Sequence, residues 1–165
     1  MALDKFSLPV QVMSQGDLSR VTRELHDLDD FIKQAHIRKP GNTLKNLPKT
    51  TKGLNDFAEI NKLNLLKESD REAATAFLDE LSAKAPVVHI SFAVDPSAPF
   101  MAKITTWFRE NIDRLILVNV GLEPTIAAGC TVRTDNQFHD FSLRSHFDEQ
   151  KTLLISRIRG AAKAE

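Results

Sequence analysis

The sequence predicts an α+β fold: a small helical unit over residues 1–85, then an α/β domain over residues 86–165 made of a strand–helix–strand unit, a hairpin and a final helix. Three observations predict it. Apolar residues recur at helical spacing through the first half, and the period switches to two after Pro86. Residues 124–147 then read as a hairpin that runs directly into a helix.

The first helix is predicted from Ser14 onward. Leu18, Val21, Leu25, Leu28, Ile32 and Ala35 are spaced alternately by three and four, a coiled-coil-like seam. Ser14 with Asp17 supplies a start signal and Pro40-Gly41 a stop. Residues 38–53 form a loop carrying Arg38, Lys39, Lys45, Lys49 and Lys52 without an acid. A second helix turns Leu54, Phe57, Ala58 and Ile60 inward, and Leu63, Leu65 and Leu66 close it against a third. Ser69-Asp70-Arg71-Glu72 matches a capping box, followed by the stripe Ala74, Phe77, Leu78 and Leu81.

In the second half Val88, Ile90, Phe92 and Val94 share one strand face, with Val87, His89, Ser91 and Ala93 on the other. Asp95 to Pro99 breaks the strand, and the next helix is expected to bury Phe100, Ile104, Trp107, Phe108 and Ile112. Leu115 to Leu122 is nearly continuous in apolar residues, as in a strand covered on both faces. Strand, helix, strand at this length predicts a right-handed crossover and a parallel pair. Ile126, Ala128, Cys130 and Val132 alternate along the first hairpin strand, and Thr134-Asp135-Asn136-Gln137 supplies the turn. The last helix, from about Leu143 to Arg159, has Asp148 and Glu149 early and Lys151, Arg157 and Arg159 late, which suits the helix dipole.

Composition narrows the function classes. At 42% apolar, the 165 residues can bury a real core. Charges balance at 22 of each sign overall, and at 13 of each in residues 1–85. That leaves no long-range field to draw the chain onto nucleic acid or anionic membranes. The single cysteine, Cys130, excludes an intramolecular disulfide and fits a reducing compartment. Met-Ala-Leu-Asp-Lys shows no signal-peptide pattern and no apolar run approaches the ~20 residues of a membrane span, so a cytoplasmic protein is expected.

No phosphate-cradling glycine loop occurs among the six scattered glycines, and no cofactor is predicted. Cys130, His139 and His146 are the best metal candidates, with Cys130 and His139 able to face each other across the hairpin, but no HxxxH or CxxC spacing anchors them and no metal is predicted. Triads assembled from Cys130, His139 and Asp140, or from Ser142, His146 and Asp148, lack a nucleophile elbow. Asp29-Asp30 and Asp79-Glu80 fall on watery helix faces, so no catalytic residue is predicted and the chain is not expected to be an enzyme. The basic loop 38–53, which has no aromatic residue for stacking, is the one nucleic-acid candidate. In the hairpin, Arg133 is expected to pair with Asp140, a contact worth roughly 0.2–1 kcal/mol. Ser142 is expected to cap the last helix at Ser145.

The order of these residues, Ala128-Gly129-x-x-Val132-Arg133 and then Asp140-x-Ser142-Leu143-Arg144, resembles the C-terminal signature of the delta subunit of F-type ATP synthases, whose mitochondrial counterpart is the oligomycin-sensitivity-conferring protein. Residues 61–66, Asn-Lys-Leu-Asn-Leu-Leu, resemble that family's segment before the helix joining its two domains. The likeness covers residues 54–160, with Ala128-Gly129 where the family has Gly-Gly and Asp140-Phe141-Ser142 where it has Asp-Gly-Ser. The family's opening Arg-Tyr-Ala-x-Ala-Leu helix is missing, and the helical half is shorter than six helices require. The resemblance implies a non-catalytic peripheral-stalk subunit that links the catalytic head to the membrane-anchored b stalk, peripheral to the inner (plasma) membrane through the complex. It implies alpha subunits and b subunits as partners and no small-molecule substrate. On this reading Leu18, Val21, Leu25, Leu28 and Ile32 would face the head, and Phe147, Leu154 and Ile158 the b helices. Gly129, Arg133, Asp140, Ser142 and Arg144 would be the structural motif. The alternative is a free-standing helical and α/β interaction module, binding nucleic acid through loop 38–53.

Overall fold

The seam at Leu18 to Ile32 folds as helix α1, Gln15–Arg38, in a computed structural model that describes residues 6–38 and 48–161. Ser14 starts it as predicted. The Asp17 N–H donates to the Ser14 hydroxyl oxygen at 3.1 Å, and the Ser14 N–H donates back to the Asp17 carboxylate at 3.1 Å. Helices α2, Lys52–Ile60, and α3, Glu68–Lys84, follow.

Two compact units result. The first comprises Met1–Pro86 and Met101–Leu117, and the second Val87–Phe100 and Val118–Glu165. The division is therefore not one cut between residues 85 and 86, because most of helix α4, Ala98–Asn111, belongs with the helical unit.

In the first unit the α1 seam is buried together with Leu54 and Phe57 of α2 and Ala74, Phe77, Leu78 and Leu81 of α3. Phe6 meets the Phe57 and Phe77 rings edge-on at 6.2 and 5.2 Å, extending the core beyond the helices. Ile60 and Leu66 are exposed rather than inward. The capping box predicted at Ser69 does not form. Helix α3 begins two residues earlier, with Lys67 in place of Ser69 as its N-cap, and the Asp70 carboxylate instead accepts the Asn64 N–H at 3.1 Å.

A buried ion pair ties α1 to α3. The Arg71 guanidinium, 3% exposed, donates to Asp29 at 2.7 Å and to the Leu65 carbonyl at 3.2 Å. Burial opposes ionisation of Asp29, but the hydrogen bonds from Lys33 and Arg71 outweigh it and hold the carboxyl below its ordinary range.

Helix α4 turns a different face inward from the one its apolar pattern predicts. Met101 and Thr105 are buried, whereas Phe100, Trp107 and Ile112 are exposed. Arg109 continues the inward row, four residues beyond Thr105. Its guanidinium donates to the carbonyls of Leu8, Pro9 and Val12 at 3.3, 2.9 and 2.5 Å. Burial pushes its pKa down to about 10, so it stays charged at neutral pH.

The second unit is built on a mixed four-stranded sheet of order β2-β1-β3-β4: β1 Val87–Phe92, β2 Leu117–Leu122, β3 Gly129–Arg133 and β4 Phe138–Ser142. The Leu117 N–H donates to the Pro86 carbonyl and the Glu123 N–H to that of Phe92, so partner numbers rise together and β1–β2 is parallel, as the crossover predicts. Pairs β1–β3 and β3–β4 are antiparallel. Val88, Ile90 and Phe92 are buried on one face of the sheet. Strand β2 is not covered on both faces along its length, since Val120 and Leu122 are exposed. Helix α5, Leu143–Ala161, follows β4 without a loop.

Candidate functional site

The joint between hairpin and α5 is fixed by particular residues. After a single 3-10 turn, Pro124–Ile126, the chain reverses sharply at Ala127. Ala127 holds φ 62° and ψ −56°, and the Ala128 N–H donates to the Ile126 carbonyl at 2.8 Å. This is a γ-turn of the strained, positive-φ kind. Gly129 follows at φ +90°, where a Cβ would collide with the Phe141 carbonyl.

The hairpin closes at the predicted residues. The Thr134 N–H donates to the Gln137 carbonyl at 2.9 Å, and the Gln137 N–H donates to the Thr134 hydroxyl at 3.1 Å. Gly129 lies opposite Ser142, Thr131 opposite Asp140 and Arg133 opposite Phe138. Arg133 and Asp140 are therefore diagonal neighbours, and no ion pair forms between them among the described residues, contrary to expectation. Asp140 instead accepts the Ser142 N–H at 2.8 Å. The Ser142 hydroxyl and N–H, with the Arg144 charge, hold the Asp140 carboxyl below its ordinary range.

Ser142 caps α5 as predicted. Its hydroxyl oxygen accepts the Ser145 N–H at 3.1 Å, satisfying one of the free donors of the first turn. The Leu143 N–H reaches back to the Ala128 carbonyl at 2.8 Å. Three of the five motif residues, Gly129, Asp140 and Ser142, thus build one joint, while Arg133 lies on the sheet face beside His89 and Phe138. Gly129 permits the strand crossing, Asp140 and Ser142 fix the helix start, and Ala128 ties the helix to β3.

Beyond that joint five apolar residues of α5 stand in solvent. Leu143, Phe147, Leu153, Ile155 and Ile158 are all exposed. Phe147 and Ile158 thus stand where a partner could reach them, while the side chain of Leu154 lies outside the described residues. The other set assigned to a partner is placed differently. Leu18, Val21, Leu25, Leu28 and Ile32 are 0–3% exposed and form the core of their own unit, so the seam offers no free surface to a partner.

Other candidates come apart. Register puts Cys130 opposite Phe141 and Val132 opposite His139, so Cys130 and His139 do not face each other. No group of three or more histidine, cysteine or carboxylate residues could hold a metal among the described residues. Burial raises the Cys130 pKa, away from a reactive thiolate. Lys39 and Lys45 of the basic loop lie outside the described residues, and Lys49 and Lys52 are exposed. No helix among the described residues is long and apolar enough to cross a membrane.

One grouping has no motif in the sequence to mark it. Strand pairing brings His89, Ser91, Thr131 and Arg133 onto one open sheet face. The alternation of β1 carries the signal for His89 and Ser91, but their partners depend on a register no spacing displays. No protein-family model matches the chain, and no curated protein matches it.

Proposed function

We propose that this chain is a non-catalytic stator subunit of a rotary ATP synthase, similar in role to the delta subunit, bridging the catalytic head and the b stalk at the membrane periphery. One observation carries this reading. The residues that resemble the delta signature, Ala128-Gly129, Asp140, Ser142 and Leu143, are the same ones that make the hairpin–helix joint, where each serves the backbone in a distinct way. A helix launched from so fixed a joint, with Phe147, Leu153, Ile155 and Ile158 exposed, suits helix-to-helix docking onto a b subunit. Work of this kind rests on packing that resists torque and needs no reacting group. Because the α1 seam is buried, the head must be met through other surfaces of the helical unit.

Tagged protein, co-expressed with alpha and b subunits from the same organism, should retain both on affinity capture. Phe147→Glu combined with Ile158→Glu should release the b subunit while the chain stays folded. Retention of neither subunit by the unaltered protein would sink the reading. Salt-dependent RNA or DNA binding lost on replacing Lys45, Lys49 and Lys52 would favour the interaction-module alternative.

A further inference from the structure

The sheet of the second unit has two unlike faces. Val88, Ile90 and Phe92 are buried on one, so alternation turns His89 and Ser91 to the other. Register sets His89 opposite Arg133 and Ser91 opposite Thr131, and Arg133 has Phe138 on its far side. A Cβ on Gly121 would come within 3.1 Å of the Ser91 hydroxyl oxygen, so β2 adds no side chain there and the floor stays open. These residues line a recess of about 610 Å³. Small-molecule sites run from roughly 300 to 1,000 Å³.

The recess has unused donors. Arg133 and His89 are exposed, and neither side chain makes a hydrogen bond or ion pair with any described residue. Three carboxylates border the recess, and Asp140, opposite Thr131, keeps its charge. Asp140 accepts the Ser142 N–H at 2.8 Å, and Glu123 accepts the Thr125 hydroxyl at 2.5 Å at the end of β2. Asp135 lies in the turn beyond Arg133, at the opposite end.

We propose that this recess binds a small organic phosphate monoester with a flat apolar body. The forked guanidinium of Arg133 matches two phosphoryl oxygens. The hydroxyls of Ser91 and Thr131 and the His89 imidazole supply further donors, more than the two oxygens of a carboxylate can take. Phe138, 63% exposed, offers its ring to the flat body. Glu123 and Asp135 at the two ends and Asp140 beside Thr131 leave Arg133 and His89 as the place for one anionic group, which disfavours polyphosphates and nucleic-acid backbones. This site is independent of the stator reading and uses none of the α5 surface.

The probe is phenyl phosphate, titrated into the full chain and followed by backbone amide chemical shifts. Saturable shifts are expected at His89, Thr131, Arg133 and Phe138. Arg133→Gln should raise the dissociation constant by about tenfold or more, the value of a charge-assisted hydrogen bond. Arg144→Gln should leave it unchanged, and circular dichroism should show both variants folded. No saturation at millimolar phenyl phosphate would overturn the proposal. So would equal affinity in Arg133→Gln, or equal binding of benzyl alcohol or of a DNA oligonucleotide.

Discussion

Gly129 and Phe141 approach so closely across the β3–β4 pair that a Cβ on the glycine would overlap the Phe141 carbonyl oxygen, and Gly129 holds φ +90° as well. Sterics and backbone conformation thus demand glycine at the same position. Gly129→Ala should cost about 2–6 kcal/mol, the sum of a strained dihedral and local overpacking. Urea unfolding followed by circular dichroism reads this directly. An unchanged midpoint would show that the strands can separate there without loss.

Ser142 is 4% exposed and serves both Asp140 and the first turn of α5. Ser142→Ala should destabilise the chain by about 1 kcal/mol through the lost cap. It should also let the Asp140 pKa rise toward its ordinary value, since the hydroxyl is the first cause of its depression. A carboxyl titration by NMR separates the two effects: a cap lost without a shift in Asp140 would contradict the shared role.

The Asp29–Arg71 pair makes stability depend on pH. The folded pKa of Asp29 lies below its ordinary value, so its contribution is present above the unfolded pKa of about 3.9 and is lost as pH falls through the folded value. Asp29→Asn should cost about 2–4 kcal/mol at pH 7, because a guanidinium 3% exposed is left without its counterion. The difference between the two proteins should shrink in acid. A gap that stays constant from pH 7 to about pH 3 would show that the pair contributes nothing to the pH dependence.

Arg109 holds residues 8–12 through backbone carbonyls alone. Arg109→Met keeps much of the side-chain volume and removes the donors, so it should cost about 2–4 kcal/mol. Amide exchange at Val12 should quicken more than exchange in α3. Arg109→Lys should restore little, because an ammonium cannot spread its donors as the planar guanidinium does.

Much of this fold was legible in side-chain pattern. The seam of α1, the alternation of β1, the turn at Thr134 to Gln137 and the cap at Ser142 all rest on local rules that one segment can display. Helix α4 defeated the same rules. Its apolar residues Phe100, Trp107 and Ile112 suggested one inward face, whereas Met101, Thr105 and Arg109 mark another, about 100° round the helix. Side-chain pattern cannot reveal that an arginine's partners are the carbonyls of a distant loop. The candidate sites failed similarly. Arg133 and Asp140 looked like a pair from composition, yet closure at Thr134 to Gln137 sets Asp140 two places past the residue opposite Arg133. The same register assembled the His89–Arg133 face without any motif to announce it.

The clasp from Arg109 to the Pro9 carbonyl spans 100 positions of chain, and the helical unit takes in Met101–Leu117 as well as the first 86 residues. Its completion during synthesis must therefore wait until β1, all of α4 and the chain to Leu117 have left the ribosome. A chain released at Pro86 would carry all three core helices and still lack the residue that fastens its opening segment, while a chain released at Leu117 would hold every residue of the unit. Gene fragmentation at the apparent domain boundary would cut through a folding unit that the linear order of elements conceals.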